Sequence, residues 1–287
     1  HPRKVRDDSE MSQQFSDDEY ESFRLFLEDS AGITLGANKH YLVNSRLSRL
    51  MRENGIESLS ELVRAIKAGR PAGLKEKIID AMTTNETSWF RDKVPFRQLS
   101  EHILPELTGQ RLNRPLRIWS AACSSGQEVF SISIVIDEYQ RAHPGTMPRD
   151  AEILGTDISP SMIRDAKEAC YDKLSVARGL DKERQEKYFT EKGDCWQANE
   201  PIRKRTSFRE GNLMASFSSY GKFDIIFCRN VLIYFSADLK RDILGRLAKQ
   251  LNPGGYLILG SSESVTGYSD AYELVRAGGG VLYRLRS

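Results

Sequence analysis

The chain has 287 residues, of which 39% are hydrophobic and 29% are charged, a composition typical of globular proteins and not of disordered or fibrous ones. A formal net charge of +2 provides no overall attraction to nucleic acid or to a membrane surface. The four cysteines form no CxxC pair and the four histidines do not cluster, which predicts free thiols in a reducing compartment and no metal site. The chain has no apolar run of about 18 residues and no recognisable signal peptide, so a cytoplasmic protein without membrane insertion is expected.

Residues 15–90 are predicted to form a helical domain, after a polar lead (residues 1–14) interpreted as disordered or as a remnant of cloning. Ser16 and Ser58 each stand three residues before a glutamate, the pattern of a capping box at a helix start. Apolar residues then recur at helical spacing in four short segments. Short helices with short connections predict a compact bundle.

Residues 91–287 are predicted to form an α/β domain, because strands alternate with helices from Leu116 onward, the pattern of a mostly parallel sheet. The candidate strands are Leu116–Ser120, Glu152–Gly155, Phe223–Phe227, Tyr256–Gly260 and Gly280–Leu285. The last two are expected to pair as an antiparallel hairpin with a long connection. The stretch between Tyr171 and Asn212 is too long for one crossover and predicts a small β-rich insertion at about residues 188–210.

The segment FDIIFCRNVLIYF (residues 223–235) begins as a buried strand and then changes to Cys228, Arg229 and Asn230. Ligands of open α/β sheets bind just beyond the carboxyl ends of the strands, so these polar residues, with Tyr234 shortly after, are candidate site residues. An ordinary strand end is the alternative interpretation.

Small residues follow the first strand, in a turn with one glycine, Gly126, just before Gln127 and Glu128. A helix N-terminus after such a turn offers free N–H groups to a ligand. A single glycine argues against a dinucleotide-binding fingerprint, and the turn has no P-loop lysine. Ordinary strand–helix packing would also favour small residues here.

Asp157 ends the second strand, where a carboxylate can accept hydrogen bonds from both hydroxyls of a ribose. The alternative is that Asp157 caps the helix that begins at Pro160, a task that Ser159 could also perform. Asn212 and Leu213 follow another strand edge near Phe208, in a position to contact an adenine.

Asn85, Thr87 and Arg91 lie between the two predicted domains, beside the anchoring pair Trp89 and Phe90. A guanidinium at a cleft suits a carboxylate, so Arg91 is a candidate for binding a carboxylate substrate. Its alternative role is an interdomain salt bridge.

A basic edge runs along the second helix and consists of Lys39, Arg46, Arg49 and Arg52. The simplest interpretation is a solvated helix face. The functional interpretation is a surface that docks onto an acidic helical partner or onto RNA.

Three blocks in this order, TTNETSWFRD, SAACSSGQEVFS and FDIIFCRNVLIYF, resemble the chemotaxis receptor methyltransferase family (CheR). The resemblance covers the chain from about Phe15, and LNPGGYLILGSSES resembles the late strand of methyltransferases that use S-adenosylmethionine (SAM). It implies a helical N-terminal domain joined to a Rossmann-like SAM-dependent methyltransferase sheet with an inserted β-subdomain. The implied activity is methyl esterification of glutamate side chains on methyl-accepting chemotaxis receptors, with S-adenosylhomocysteine as the product and no metal.

The resemblance also implies roles for single residues. The SAM contacts that it implies are Asn85, Thr87, Arg91, Glu128, Asp157, Asn212, Leu213, Cys228 and Arg229, with Asn230 shaping the adjacent turn. Arg91 and Tyr234 would lie nearest the transferred methyl group, and Cys228 would line the site without acting as a nucleophile. The basic edge of the second helix would face the cytoplasmic helical region of the receptor, with the enzyme recruited to membrane receptor arrays.

One departure from the family concerns the β-insertion, which is slightly shorter between Phe189 and Phe208 than in members that bind a receptor's C-terminal peptide tether. This length predicts an enzyme that does not need the tether. Two other functions stay open from the sequence: a SAM-dependent methyltransferase that acts on another protein, RNA or a small molecule, and a non-catalytic SAM-sensing or receptor-binding module. An RNA enzyme would favour a broader basic surface than this chain carries.

Overall fold

The computed structural model describes residues 15–287, so the lead predicted for residues 1–14 lies outside the described residues. The described chain divides into two compact units, which are residues 15–84 with 234–236, and residues 85–233 with 237–287.

The boundary between the two units lies between Thr84 and Asn85, ahead of the boundary predicted after Phe90. Trp89 and Phe90 explain the difference, because both side chains are buried in the hydrophobic core of the second unit. The two aromatic side chains therefore belong to the core of one unit, whereas an interdomain anchor was predicted for them.

The first unit is helical, as predicted. Its described helices are α1 (Asp17–Ala31), α2 (His40–Glu53), α3 (Leu59–Lys67) and α4 (Leu74–Met82). Both predicted N-caps are confirmed: the Ser16 hydroxyl accepts a hydrogen bond from the Glu19 amide at 3.2 Å, and the Ser58 hydroxyl accepts one from the Glu61 amide at 3.1 Å. The apolar faces of the helices pack into one core.

The second unit contains two β-sheets. Its strands are β1 (Arg117–Ala121), β2 (Glu152–Asp157), β3 (Cys170–Asp172), β4 (Phe189–Lys192), β5 (Cys195–Ala198), β6 (Thr206–Glu210), β7 (Phe223–Cys228), β8 (Leu251–Leu259), β9 (Tyr272–Ala277) and β10 (Gly280–Leu285). The main sheet has seven strands in the order β6-β2-β1-β7-β8-β10-β9. Its strands from β6 to β8 are parallel, and β10 is antiparallel to both of its neighbours. The predicted mixed α/β sheet is confirmed.

Helices connect and cover the strands of the second unit. The α-helices are α5 (Val94–Gln98), α6 (Leu104–Gly109), α7 (Gln127–Ala142), α8 (Pro160–Glu168), α9 (Lys173–Ala177), α10 (Lys182–Tyr188), α11 (Glu200–Arg203) and α12 (Ala237–Lys249). A π-helical turn spans Leu99–Ile103, and 3₁₀ turns span Ser218–Tyr220 and Leu232–Tyr234. Most of α7 is buried, because its sequence is apolar or small around nearly the whole circumference. Strand β7 is buried at every position, as its continuous apolar run predicts for a central parallel strand.

The β-insertion is a separate three-stranded antiparallel sheet in the order β3-β5-β4. Its first strand begins at Cys170, earlier than residue 188, where the insertion was predicted to start. Its last strand ends at Ala198, so the predicted end at residue 210 is too late. Strand β6 belongs instead to the edge of the main sheet, where Phe208 pairs in register with Gly155 of β2.

The expectation of four free thiols is wrong for one pair of cysteines. Cys170 and Cys195 lie on the neighbouring antiparallel strands β3 and β5, with Cα atoms 5.5 Å apart, and form a disulfide. Cys123 and Cys228 are free and buried. Only the pairing of β3 with β5 brings the first two thiols together, and their sequence spacing does not reveal it.

The C-terminal strands differ from the prediction in one respect. Strand β10 is antiparallel to β8, as expected, but the connection between them contains the additional strand β9. Strand β9 is the edge of the sheet, and its side chains alternate between buried or half-buried and exposed positions. The glycines that follow it form the turn into β10, and they made this segment look like a loop.

Candidate functional site

The candidate site lies at one edge of the main sheet, where four parallel strands end side by side. Thr156 of β2, Ala121 of β1, Cys228 of β7 and Leu259 of β8 are aligned across the sheet in register. The segments that follow these strands therefore begin at the same edge, which is the usual position of ligand sites in open α/β sheets.

The loop after β1 is tight, and three of its residues have left-handed backbone conformations. The φ angles are 61° at Ala122, 54° at Ser124 and 99° at Gly126. The left-handed conformation favours glycine at position 126, and the site is also closely packed, since a Cβ atom there would lie 3.0 Å from the Tyr171 hydroxyl. The backbone of this loop therefore lies beside the N-terminus of α7, an arrangement suited to binding polar ligand groups.

Asp157 is buried at the end of β2, and both of its carboxylate oxygens accept backbone hydrogen bonds. One oxygen accepts from the Ser124 amide at 2.8 Å and the other from the Ser159 amide at 3.0 Å. The Ser159 hydroxyl accepts from the Met162 amide at 3.2 Å and is the N-cap of α8. Ser159 therefore takes the capping role, and Asp157 links the ends of β1 and β2.

Glu128, at the start of α7, belongs to a buried polar cluster with Arg229. Its Oε1 accepts a hydrogen bond from the Ser120 hydroxyl at 2.8 Å, and its Oε2 accepts one from Arg229 at 3.1 Å. Arg229 also donates to the Asp92 carboxylate at 2.8 Å and to the Arg91 carbonyl at 2.9 Å. The cluster ties β1, α7 and the segment after β7 to the residues around Arg91.

The guanidinium of Arg229 contacts protein groups, whereas the family resemblance implied a contact with the cofactor. Its side chain is only 1% exposed, and both terminal nitrogens donate to protein acceptors. Its Nε atom is buried without a hydrogen-bond partner. In this arrangement the Arg229 side chain positions Glu128 and Asp92.

Cys228 and Cys123 are poor nucleophiles in this environment. Burial raises the pKa of the Cys228 thiol well above its usual value, and the nearby carboxylates of Glu263 and Glu128 raise it further. Burial also raises the pKa of the Cys123 thiol, with additional contributions from the carboxylates of Asp157 and Glu128. Both groups stay protonated at neutral pH, which agrees with Cys228 lining the site without reacting.

The segment that carries Asn85, Thr87 and Arg91 contacts the loop after β1. The Asn85 carbonyl accepts a hydrogen bond from the Ser124 hydroxyl at 3.4 Å, and Thr87 is half-buried. The Arg91 guanidinium donates to the Glu86 carbonyl at 2.9 Å. These contacts bring the segment to the same sheet edge as Asp157.

Asn212 and Leu213 lie in the loop after β6, which is held by an arginine that sequence reasoning did not identify. Arg246 of α12 donates to the Leu213 carbonyl at 2.5 Å and to the Ala215 carbonyl at 2.8 Å. Its guanidinium also lies over the Phe217 ring, 4.3 Å from the centroid. Arg246 therefore determines the path of the loop predicted to contact the adenine.

We expect Arg246→Ala to weaken SAM binding by about 10-fold, because two charge-assisted hydrogen bonds to the loop are lost. Isothermal titration calorimetry measures the SAM Kd directly. Arg241→Ala is the matched control, since Arg241 lies on the same helix but contacts the exposed Asp238 carboxylate at 3.0 Å and the Tyr268 ring at 5.8 Å instead of the loop. Equal SAM affinities of the two variants would contradict this role of Arg246.

Asn230 and Tyr234 lie on the turn after β7. Asn230 has a φ of 61°, a left-handed conformation that asparagine adopts more readily than most residues, and its amide donates to the Glu263 carboxylate at 2.6 Å. Tyr234 groups with the first unit, where its carbonyl accepts a hydrogen bond from the Thr34 amide at 2.9 Å. Arg91 and Tyr234 thus belong to different units, and their joint catalytic role stays a prediction.

The four predicted members of the basic edge of α2 differ in their contacts. Arg46 is half-buried and donates to the Thr83 carbonyl at 3.0 Å, so its guanidinium caps the C-terminal end of α4. Its role in docking stays a prediction. The exposed members are Lys39, Arg49 and Arg52.

Three residues around the site were not singled out from the sequence: Glu263, Arg246 and Asp92. Glu263 stands in the LNPGGYLILGSSES segment, whose likeness to a late methyltransferase strand was the only signal.

Across residues 15–287, no group of three His, Cys, Asp or Glu side chains is arranged to hold a metal ion. None of the helices in those residues has the length and hydrophobicity that a membrane span requires.

Comparison with known proteins agrees with this geometry. Residues 18–83 match the CheR methyltransferase all-alpha domain, and residues 85–280 match the CheR methyltransferase SAM binding domain. Chemotaxis protein methyltransferase Cher2 of Pseudomonas putida and chemotaxis protein methyltransferase 1 of Pseudomonas aeruginosa are each 51% identical over 93% of this chain and 98% of their own length. Chemotaxis protein methyltransferase 1 of Vibrio cholerae is 48% identical over 94% of this chain and 98% of its own. The chain belongs to the CheR family of SAM-dependent methyltransferases.

Proposed function

We propose that this SAM-dependent methyltransferase transfers a methyl group to glutamate side-chain carboxylates of chemotaxis receptors, forming methyl esters in chemosensory adaptation. The observation that carries the proposal is that both CheR domains are matched and that named chemotaxis methyltransferases align with nearly the whole chain. The aligned strand ends, with their tight loop and buried carboxylates, support a SAM site at that edge.

The residues at the sheet edge suit the chemical groups of SAM. Asp157 would bind the ribose hydroxyls, and the left-handed loop with Glu128 would receive the amino acid end. Leu213 and its neighbour Asn212 would contact the adenine. The segment Cys228–Asn230 would form one wall, and residues 85–91 another. SAM, when bound, supplies a methyl group on a positively charged sulfonium.

The chain's own residues then need to align and desolvate the acceptor. A glutamate side chain has an ordinary pKa of about 4.3 and is already an anionic nucleophile at neutral pH, so no general base is required. We propose that Arg91 turns from the Glu86 carbonyl to orient the acceptor carboxylate, and that Tyr234 shapes the methyl-transfer pocket. The principal contribution to the rate would be alignment of the acceptor oxygen with the methyl group.

We propose that Lys39, Arg49 and Arg52 dock the enzyme onto the cytoplasmic helical region of the receptor, which recruits it to receptor arrays. The Arg49 side chain is 89% exposed, which supports an accessible role. The shortened β-insertion supports an enzyme that does not depend on the receptor's C-terminal tether.

Charge reversal at the docking residues should raise the receptor KM. We expect the double variant Arg49→Glu and Arg52→Glu to raise it by roughly 10-fold with an unchanged SAM Kd, because exposed charges act on association with an oppositely charged partner. Initial rates over a range of receptor concentrations measure the KM. The double variant Arg64→Glu and Lys67→Glu on α3, at two exposed positions, changes the net charge equally and is the control. An unchanged KM in the Arg49 and Arg52 variant would return these residues to a purely solvated role.

The activity itself is tested by incubating the protein with methyl-labelled SAM and receptor-containing membranes. A glutamate methyl ester releases its label as volatile methanol under mild alkali. Label that resists alkali would indicate N-methylation or another acceptor and would overturn the proposal. A receptor whose methylation-site glutamates are replaced by alanine is the control for acceptor identity.

A further inference from the structure

We propose that Glu263 is a positioning residue for methyl transfer, because its carboxylate holds the turn that leads from β7 to Tyr234. The inference rests on the proposed function for its catalytic consequence. Its structural part, which is the hold on the turn, can be measured independently of activity.

The Glu263 carboxylate accepts four backbone hydrogen bonds from two segments of the chain. Oε1 accepts from the Asn230 amide at 2.6 Å and from the Gly260 amide at 2.9 Å. Oε2 accepts from the Val231 amide at 3.2 Å and from the Ile233 amide at 3.3 Å. One side chain thus satisfies three amides of the turn after β7 and one amide at the end of β8.

The backbone around Glu263 is shaped for this carboxylate. The left-handed conformation of Asn230 directs successive N–H groups toward one point, the geometry of an anion-binding backbone concavity. Gly260 permits the close approach, since a Cβ atom there would lie 2.6 Å from Glu263 Oε1 and 2.6 Å from the Asn230 side-chain oxygen. The Glu263 backbone amide also donates a hydrogen bond to the Gly260 carbonyl at 3.0 Å. The backbone from which the Glu263 side chain extends is therefore held in place.

The turn held by Glu263 joins two parts of the proposed catalytic machinery. Arg229, with its contacts to Glu128, precedes the turn, and Tyr234 follows Ile233 directly. Arg229 is held by its contacts in the buried cluster. The three amides of the turn, in contrast, are held by the Glu263 carboxylate. Loss of the carboxylate should therefore release the turn and displace Tyr234 more than it disturbs the cofactor wall.

The test uses Glu263→Gln, which preserves side-chain volume but replaces one acceptor oxygen by an amide nitrogen that repels backbone N–H groups. We expect kcat for receptor methylation to fall by about 10-fold, because small misplacements of reacting groups slow a reaction strongly. The SAM Kd, measured by calorimetry, should be little changed. Hydrogen exchange of peptides that cover residues 229–235 should become faster.

Further variants sharpen the test. Glu263→Asp keeps the charge and should recover part of the kcat that Glu263→Ala loses. Glu273→Gln is the matched control, because Glu273 is on the same unit and forms only a 3.6 Å ion pair with Arg284. In a Tyr234→Phe background, Glu263→Gln should add little further loss, since both changes act on the same group.

Unchanged hydrogen exchange of the turn in Glu263→Gln, or an unchanged kcat, would overturn the inference. Fully additive effects of Glu263→Gln and Tyr234→Phe would also overturn it. If the wild-type protein does not methylate receptors at all, the proposed function fails, whereas the exchange experiment still decides whether Glu263 holds the turn.

Discussion

Arg91→Ala is expected to slow receptor methylation by on the order of 100- to 1,000-fold while leaving SAM binding nearly intact. The guanidinium donates to the carbonyl of Glu86, an exchangeable partner, and lies in the segment that contacts the loop after β1. Removing the Arg91 side chain takes away the guanidinium that is proposed to orient the acceptor carboxylate. The residues proposed to bind the ribose and adenine stay in place. Steady-state kinetics with receptor membranes, beside calorimetry with SAM alone, measure the two effects separately.

Two further variants test the origin of this loss. Arg91→Lys keeps the positive charge without the planar fork, so it should retain only part of the rate if bidentate geometry matters. Arg97→Ala is the control for loss of an arginine nearby, since Arg97 donates to the Gly278 carbonyl at 3.2 Å and has no proposed role. A SAM affinity that falls in proportion to the rate would contradict the division between cofactor binding and acceptor orientation.

Arg229→Met should cost about 3 kcal/mol of the free energy of unfolding and should also abolish tight SAM binding. Removing one partner of a buried ion pair is strongly destabilising, because the remaining charge is left uncompensated. The side chain of Glu128 is only 15% exposed, whereas that of Asp92 is 42% exposed and can be rehydrated, so Glu128 accounts for most of the cost. Urea denaturation measures the stability, and calorimetry measures the loss of SAM binding.

The control for Arg229 is an ion pair that leaves only an exposed charge behind. Arg241→Met breaks a 3.0 Å pair with Asp238, whose side chain is 98% exposed and stays hydrated, so a cost below about 1 kcal/mol is expected. Arg229→Met combined with Glu128→Gln should be less destabilising than the sum of the single changes, since the stranded charge is then gone. An Arg229→Met protein as stable as Arg241→Met would show that the buried cluster does not stabilise the sheet edge.

The local sequence was sufficient for the features that depend on short-range pattern. The run of Ile225, Ile226 and Phe227 predicts a buried parallel strand, and the structure confirms that strand and its end at Cys228. Ser16 and Ser58 cap helices as their spacing indicates. In each case the partners are neighbours in sequence, so the chain itself carries the signal.

The family motifs added residue assignments that short-range pattern alone does not provide. They assigned Glu128 to the cofactor site, beside Asp157, which its strand-end position had already suggested, and the structure brings both to the end of the sheet. They did not reveal that the guanidinium of Arg229 contacts protein groups. Nor did they reveal that Arg46 donates to the C-terminal end of α4.

Contacts between residues far apart in the chain were decided only by the tertiary structure. Arg229 and Glu128 are separated by 101 positions, Glu263 and Asn230 by 33, and the disulfide cysteines by 25. The amino-acid sequence by itself determined the helical first unit and most strands of the main sheet, because periodicity and capping are local. It could not determine which buried polar groups satisfy one another, because those pairings depend on the order and register of the strands in the folded sheet.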